Sequence, residues 1–175
     1  TGPVIMRKPE RAGRNGTLFD MYKYRTMILG AHEMLSKKKY AKLKKKMKKE
    51  GKIRTEEDPR ITRTGRFLRS WDIDEFPQIL NVLKGEMSFV GPRPYLEEEL
   101  SEFASENPER AEIVDRVLSV RPGITGQWQV SGRNDLSLKE RLEIDAWYAE
   151  HRSLVTDLSI CLRTPGAVLG RKGAW

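Results

Sequence analysis

A run of lysines in residues 36–52 (SKKKYAKLKKKMKKEGK) limits what this chain can fold into. The segment holds ten lysines and one glutamate, and charged side chains at this density are not buried without partners. The packed body must therefore be built from the residues on either side of it. The chain has a formal net charge of +8, but outside this segment 23 basic and 24 acidic residues leave a net charge of −1. We expect a nearly neutral domain with one cationic arm.

Three interpretations of this Lys-rich arm stay open. Tyr40, Leu43 and Met47 lie at helical spacing and give the arm only a weak apolar stripe. The arm is a solvated or partly disordered helix, a basic helix that contacts anionic lipid headgroups, or a nucleic-acid-binding element. Nucleic acid is the least favoured partner, because a single tyrosine offers little aromatic surface for stacking on bases.

Length and residue counts exclude several classes of protein. A chain of 175 residues fits one domain. Cys161 is the only cysteine, which excludes a disulfide within the chain and a cysteine-rich zinc site. His32 and His151 are far apart in sequence, which disfavours a histidine metal site. No stretch approaches the roughly 18–20 apolar residues that span a bilayer.

The local patterns predict an α+β fold that is mostly helical, with a small N-terminal β-hairpin. Apolar runs at 3–8 and 18–25 flank the turn signal Asn15-Gly16 and predict the hairpin. Residues 121–135 predict an irregular Gly-rich loop. Its Trp128 could stack on a base or ring or pack into the core, and we favour the core. Helices, separated by glycine and proline, are expected in the segments 27–50, 66–71, 78–84, 95–120 (two helices, broken at Asn107-Pro108), 137–152 and 154–163. Pro165-Gly166 is expected to interrupt the tail of the last helix, in which Cys161 is expected to be a core residue.

An adjacent pair of carboxylates, Asp74 and Glu75, stands at the predicted start of the helix 78–84. Asp74 falls at the N-cap and Glu75 at the next position, where carboxylates are stabilised by unpaired backbone N–H groups and by the helix dipole. Capping alone is a sufficient explanation for an arbitrary pair of this kind. The pair carries chemistry only if other polar groups converge on it.

Arginines near the pair favour chemistry over capping. Arg66 and Arg69 lie one or two helical turns upstream, and Arg93 is held on a stiff turn between two prolines. Arginine on a rigid backbone suits bidentate capture of phosphate oxygens. Carboxylates with clustered arginines indicate a phosphate substrate with Mg²⁺, which prefers one or two carboxylates plus phosphate oxygens. A carboxylate can also attack phosphorus and form an acyl phosphate.

Two further groups of polar residues are candidates for the same site. Lys23 and Arg25 occupy alternate positions of the predicted second strand, so both are expected on one face of the hairpin, either in solvent or in a site. Asp135, after Arg133 and Asn134 in the Gly-rich loop, could cap the helix 137–152 or line a site.

Three motifs resemble one known family. The segments GPVIMRKPERAGRNGTLFDMYKYRTM, DPRITRTGRFLRSWDIDEFPQILNVLKGEMSFVGPRP and RPGITGQWQVSGRND, followed by a Gly-Ala-Trp end, are similar to the bacterial sugar transferases. These are the monotopic polyprenyl-phosphate phosphoglycosyl transferases, which begin the assembly of surface polysaccharides. The resemblance covers almost the whole chain in order, and it implies that 1–175 is a single cytoplasmic catalytic domain.

The resemblance implies a reaction and roles for residues in it. Members of the family move a sugar 1-phosphate from a UDP-sugar to undecaprenyl phosphate and release UMP. By this resemblance Asp74 is the nucleophile that forms a covalent phosphosugar intermediate, and Glu75 binds Mg²⁺. Phosphate-binding roles fall on Lys23, Arg69 and Arg93, and we add Arg25 from the pattern of the strand. Arg133, Asn134 and Asp135 are expected to contact substrate.

The family pattern also carries expectations about location. Its members have an N-terminal apolar helix that dips into the membrane, and this chain starts at Thr1 without it. We therefore expect a piece of a longer enzyme that works at the cytoplasmic face of the bacterial inner membrane, with anionic headgroups as partners of the arm. The Lys-rich insertion points to the long hexose-1-phosphate branch, for galactose or glucose. Whether the chain forms a homodimer stays open.

Local departures from the family and two rival functions complete the expectations. Tyr24 replaces a phenylalanine of the family, and Trp71 and Asp72 are unusual before the pair. One rival is an aspartyl-phosphate phosphatase of the haloacid dehalogenase type, because Asp72-Ile73-Asp74 is a D-x-D motif; that fold needs an apolar strand directly before the motif. The other is a non-enzymatic basic module that binds membrane or nucleic acid through 36–52.

Overall fold

A computed structural model describes residues 2–34, 37–43, 45 and 58–170 of the chain, apart from the side chains of Lys8, His32 and Asn134. Most of the Lys-rich arm and the Gly-Ala-Trp end lie outside the described residues, so the interpretations of the arm stay predictions. The described part has an α+β fold in which helices predominate, as the sequence predicts. No helix in these ranges is both long and apolar enough to cross a membrane.

The N-terminal hairpin is confirmed. Strand β1 (Ile5–Ala12) pairs antiparallel with β2 (Leu18–Tyr24), with an irregularity in register after Lys8. The connecting turn has Asn15 at φ 56° and Gly16 at φ 75°, the left-handed conformations that Asn-Gly turns favour. Because side chains alternate along a strand, Lys23 follows buried Phe19 and Met21 on the face turned toward the body of the domain.

Eight helices can be named within the described ranges, and their boundaries correct the sequence-based expectations in places. They are α1 (Ala31–Met34), α2 (Arg63–Ser70), α3 (Ile79–Leu83), α4 (Glu97–Glu106), α5 (Glu112–Leu118), α6 (Gln127–Ser131), α7 (Leu138–His151) and α8 (Leu154–Leu169).

The prediction of a continuous helix from residue 27 is wrong. Met27 forms an isolated antiparallel bridge with Ile61, and Gly30 has φ 70°, so that α1 begins only at Ala31. The break predicted at Pro165-Gly166 is also wrong, because α8 continues through both residues. Ile160 is the buried residue of α8, so its neighbour Cys161 is exposed rather than in the core.

One strand of a second sheet lies within the segment 121–135, which was expected to be an irregular loop. Strand β3 (Ser88–Val90) pairs in parallel with β4 (Gly123–Thr125). The backbones approach so closely that a Cβ atom on Gly123 would stand 2.1 Å from the backbone nitrogen of Gly91. Glycines in 121–126 therefore serve close strand packing rather than a flexible loop. Strand β3 of this pair leads directly into the turn Gly91-Pro92-Arg93-Pro94.

Three buried apolar clusters hold these elements together. The main one, around Tyr95 and Leu142, joins the end of β1 to α4, α5 and α7. A second joins Phe19 and Met21 of β2 to Met87. The third joins Val90 of β3 to α7 and α8. The turn that carries Arg93 is thus anchored from both sides, which fixes where its side chain can lie.

Candidate active site

The carboxylate pair lies on a 3-10 helix, Ile73–Gln78, between α2 and α3. The predicted cap is wrong, because Asp72 occupies the N-cap position, with φ 52°, and Asp74 lies inside the helix. Neither boundary shows a side-chain capping bond, so capping does not account for the pair. The element directly before the pair is the helix α2, whereas a haloacid dehalogenase site needs a strand there; the phosphatase alternative is therefore wrong.

Glu75 forms an ion pair with Lys23 of β2. Burial would raise the pKa of Glu75, but the Lys23 ammonium, Arg93 and a hydrogen bond from Gln78 outweigh it, so that the pKa lies below its usual value. The Gln78 side chain is itself almost fully buried. Glu75 is therefore an ionised carboxylate that the hairpin and the 3-10 helix hold in place together.

Asp74 differs from its neighbour in having no partner of this kind. It is 8% exposed, and its carboxylate makes neither a hydrogen bond nor an ion pair with any described residue. Burial raises the pKa of Asp74, with Glu75 and Asp72 acting in the same direction and Lys23 and Arg69 in the opposite one. A buried, unshared carboxylate has its lone pairs available for a reacting atom.

Arg93 is fixed through its backbone and leaves its side chain free for a ligand. Its N–H donates to Asp145 Oδ2 at 2.9 Å, and Tyr95 Oη donates to the same oxygen at 2.9 Å. The guanidinium lies 5.2 Å from the centre of the Trp128 ring. Among the residues that the structure describes, its buried Nε has no hydrogen-bond partner, and neither has the Trp128 Nε1. Trp128 is buried as expected, but it also lines the site.

Arg11 is a site residue that the sequence did not reveal. The predicted first strand ended at residue 8, whereas β1 continues to Ala12 and carries Arg11 beyond the change in register. Its buried Nε also lacks a hydrogen-bond partner. Burial lowers the pKa of Arg11, and the nearby Arg93 guanidinium lowers it further. Two arginines this close to each other favour an anion between them.

These side chains and Glu75 line one cavity of about 80 Å³, and Asp74, the residue before Glu75, is not among its lining residues. We call it the dyad cavity, after the dyad formed by Asp74 and Glu75. Its polar lining consists of Arg11, Lys23, Glu75, Gln78 and Arg93, with Trp128 on one wall. Three cations against one carboxylate give the wall a net positive charge. The volume suits a phosphoryl group, with the rest of a larger ligand outside.

Two predicted phosphate ligands lie elsewhere in the structure. The charge of Arg69 acts on Asp74 and opposes the rise in the pKa of that carboxyl. Its Nε, however, donates to Thr26 Oγ1 at 2.9 Å, and Arg69 does not line the dyad cavity. Arg25 follows the end of β2 and lines a different cavity, with Met27, Gly30 and Glu33. The structure therefore brings Lys23, Glu75 and Arg93 together at the dyad cavity. Arg69 lies near Asp74 but outside this cavity, and Arg25 lines a different one.

The three candidates of the Gly-rich loop behave differently from one another. Arg133 is buried, has φ 55°, and forms an ion pair with Asp72. Asp135 is exposed and does not cap α7, because Ser137 and Glu140 form the capping box there. The side chain of Asn134 lies outside the described part. The guanidinium of Arg133 is thus already committed to the segment that carries the dyad.

A ready-made metal centre is not present within the described ranges, where no three His, Cys, Asp or Glu side chains come together. Of the three acidic residues in this segment, Glu75 lines the dyad cavity, Asp74 precedes it in the chain, and Asp72 is paired with Arg133. Any cation bound here would need oxygen atoms from a ligand as well as from the protein.

Comparison with known proteins shows the family to which the chain belongs. Residues 1–171 match the family model described as bacterial sugar transferase. The chain is 41% identical over 174 residues to the undecaprenyl-phosphate galactose phosphotransferase of Salmonella typhimurium, covering 99% of this chain and 35% of that protein. It is 35% identical over 182 residues to the UDP-glucose:undecaprenyl-phosphate glucose-1-phosphate transferase of Xanthomonas campestris pv. campestris, with 99% and 33% covered.

A shorter relative is covered more fully. The chain is 38% identical over 176 residues to the exopolysaccharide production protein ExoY of Sinorhizobium fredii, covering 99% of this chain and 74% of that protein. The chain therefore spans about a third of the two longer relatives and about three quarters of the shorter one. With a family match over nearly its whole length, this chain belongs to the bacterial sugar transferase family.

Proposed function

We propose that this chain catalyses transfer of a sugar 1-phosphate from a UDP-sugar to undecaprenyl phosphate, with release of UMP, as the first step in assembling a surface polysaccharide. One observation carries the proposal: the buried carboxylate of Asp74 has no partner among the described residues, and the next residue, Glu75, lines a cavity together with three cations. The relatives include an undecaprenyl-phosphate galactose phosphotransferase and a glucose-1-phosphate transferase, which supports a hexose as the sugar.

The reaction divides into two displacements at one phosphorus atom. A carboxylate oxygen of Asp74 attacks the phosphorus that bears the sugar, the bond to the bridging oxygen breaks, and UMP leaves with the electron pair. An oxygen of undecaprenyl phosphate then attacks the same phosphorus, and the bond to Asp74 breaks. The carboxylate returns to its starting state, and the lipid carries a diphosphate-linked sugar. No net proton transfer is required.

The cations of the dyad cavity offset the charge that the reaction gathers. A diphosphate, a lipid phosphate and the Asp74 carboxylate repel one another unless positive groups lie between them. Arg11 and Arg93 present buried N–H donors without partners, and Lys23 supplies an ammonium between the hairpin and the dyad. These groups bind phosphate oxygens and hold the phosphorus within reach of Asp74.

The residues present fit a Mg²⁺ ion bound together with substrate. Glu75 is ionised and lines the cavity, and Mg²⁺ in phosphoryl-transfer sites is held by one or two carboxylates plus phosphate oxygens. We propose Glu75 as the protein ligand, with the Lys23 ammonium moving from Glu75 to a phosphate when substrate binds. The ion would neutralise charge on the diphosphate.

The acceptor implies a membrane setting. Undecaprenyl phosphate is a lipid, so we propose that the protein works at the cytoplasmic face of the bacterial inner membrane and that its Lys-rich arm contacts anionic headgroups there. The rival function, a non-enzymatic module that binds through the arm, would not account for the unshared Asp74 carboxylate or for the cation-lined cavity.

The experiment that tests the reaction is trapping of the intermediate. The longer protein that contains this chain is incubated with a UDP-hexose labelled in the phosphate that bears the sugar, without lipid acceptor, and denatured. We expect label on Asp74 and a matching release of UMP, both of which Asp74→Asn abolishes. Asp115→Asn, which changes an exposed carboxylate on α5, serves as the control and keeps both. Full UMP release by Asp74→Asn would overturn the proposal.

A further inference from the structure

A second cavity, larger than the dyad cavity, opens on the other end of the β3–β4 region. It has a volume of about 430 Å³ and shares no lining residue with the dyad cavity. Volumes of this order are typical of sites for small organic ligands. We call it the arginine cavity after the three side chains Arg14, Arg121 and Arg152 that line it.

The three arginines come from separate parts of the chain. Arg14 lies in the hairpin turn, Arg121 directly before β4, and Arg152 at the end of α7. Within the described residues, none of the three guanidinium groups makes an ion pair or a side-chain hydrogen bond. Arginines elsewhere on the surface, such as Arg110 and Arg116, do have acidic partners. Like charges brought together without counter-charges are unfavourable in the absence of an anion.

Among the described residues, one acidic side chain lines this cavity, and it is already engaged. Asp157 Oδ1 accepts a hydrogen bond of 2.7 Å from Tyr148 Oη, and burial together with this bond raises the pKa of Tyr148. Asp157 therefore holds Tyr148 in the cavity wall and forms no ion pair with the three arginines. Three guanidinium groups against one carboxylate leave the lining with a net charge of +2.

The rest of the lining suits an organic phosphate. Ser88 and Ser153 offer hydroxyl donors, and Val90, Val120 and Leu154 form an apolar portion. Arginine forks match the oxygens of a phosphate group, and several around one anion give charge-assisted hydrogen bonds. An apolar wall would contact the carbon part of a phosphate ester. We propose that the arginine cavity binds the phosphate group of a second ligand, separate from the substrates at Asp74.

Phosphate of this kind has two sources, a membrane phospholipid and a free phosphate ester, and two probes separate them. The soluble probe is inorganic pyrophosphate, followed by the amide NMR signals of Ser88 and Ser153, which line the arginine cavity and not the dyad cavity. The membrane probe is cosedimentation of the chain with phosphatidylcholine vesicles with and without phosphatidic acid.

The variant that tests the site is Arg121→Gln/Arg152→Gln. Its control is Arg63→Gln/Lys139→Gln, which removes the same charge from exposed positions on α2 and α7. We expect the first variant to weaken binding of the responding probe at least about ten-fold and the control to change it little. Lys23→Ala/Arg93→Ala, which alters the dyad cavity, is expected to leave the Ser88 and Ser153 shifts intact.

Each result decides the proposal. Shifts with pyrophosphate alone identify a soluble phosphate, and phosphatidic-acid-dependent sedimentation alone identifies a lipid phosphate; loss of either in Arg121→Gln/Arg152→Gln supports the site. The proposal fails if neither probe binds, or if that variant binds as tightly as its control. Because the Lys23→Ala/Arg93→Ala variant is assayed separately for UMP release, failure here is distinguishable from failure of the proposed reaction.

Discussion

The carboxylate of Asp72 forms an ion pair with the guanidinium of Arg133, sixty-one positions later in the chain. Both residues have left-handed backbone conformations, at φ 52° and φ 55°. Such conformations cost of order 1–3 kcal/mol in residues other than glycine and persist only where the surroundings enforce them. Asp72 immediately precedes the 3-10 helix with Asp74 and Glu75, so the pair ties the Gly-rich loop to the placement of the nucleophile. We propose that Arg133 is a positioning residue.

Replacing Arg133 by Gln leaves the Asp72 carboxylate without its partner. Because the Arg133 side chain is 8% exposed and that of Asp72 28%, we expect the free energy of unfolding to fall by about 2 kcal/mol. In the longer enzyme we expect kcat to fall at least about ten-fold, with little change in the KM for UDP-sugar. Urea unfolding and UMP-release kinetics measure the two effects.

The double variant Asp72→Asn/Arg133→Gln separates positioning from substrate contact. If the ion pair is what matters, the double variant regains part of the stability lost in Arg133→Gln, as a double-mutant cycle reports. A rise in KM with unchanged kcat in Arg133→Gln would instead mean that Arg133 contacts substrate.

Arg11, which no sequence pattern singled out, provides a test of the phosphate site at the dyad cavity. Arg11→Gln removes a buried donor from the dyad cavity, and loss of a charge-assisted contact to phosphate lowers kcat/KM by about ten- to a hundred-fold. Arg7→Gln, on the same strand but 71% exposed, is the matched control and should leave kcat/KM nearly unchanged. Equal activity in both variants would remove Arg11 from the phosphate site.

We expect the Lys23 ammonium to influence the pH at which kcat/KM falls on the acid side, because it acts on the pKa of Asp74. Burial raises the pKa of Asp74 above 3.8, and the Lys23 ammonium opposes that rise. Attack on phosphorus requires the ionised carboxylate, so Lys23→Met should shift the acid limb of kcat/KM to higher pH. Lys84→Met is the control, since its ammonium contacts Tyr22 Oη of the same strand at 2.5 Å and lines no part of the dyad cavity. An unmoved limb in Lys23→Met would contradict this account.

Local sequence patterns predicted what depends on local physics and missed what depends on long-range packing. The hairpin follows from Asn15-Gly16, and the Asp74-Glu75 pair stands out by its neighbouring arginines. The β3–β4 pair was missed because three-residue strands carry no periodic signal. Arg11 was missed because its direction depends on a change of register within β1. Arg133 looked like a ligand-binding residue in sequence, since nothing local shows that Asp72 is its partner.

Asp145 couples the placement of Arg93 to pH. Its Oδ2 accepts from the Arg93 N–H and from Tyr95 Oη, and burial raises its pKa from 3.8 to about 7. Between pH 3.8 and about 7, Asp145 is protonated in the folded state and ionised in the unfolded chain. The free energy of unfolding that this group contributes therefore falls as the pH rises, and the contribution is lost above about pH 7. Asn at this position accepts both bonds and has no proton to lose.

We therefore expect wild-type stability to decline relative to Asp145→Asn between pH 4.5 and pH 8, by on the order of a few kcal/mol. Urea unfolding of both proteins at the two pH values measures the difference, and comparing them cancels carboxylates that titrate in both. Asp115→Asn, at an exposed position, should show the pH dependence of the wild type. If the difference between wild type and Asp145→Asn is the same at both pH values, Asp145 is ionised throughout the range, and the Arg93 turn is held by a permanent charge instead of a titrating one.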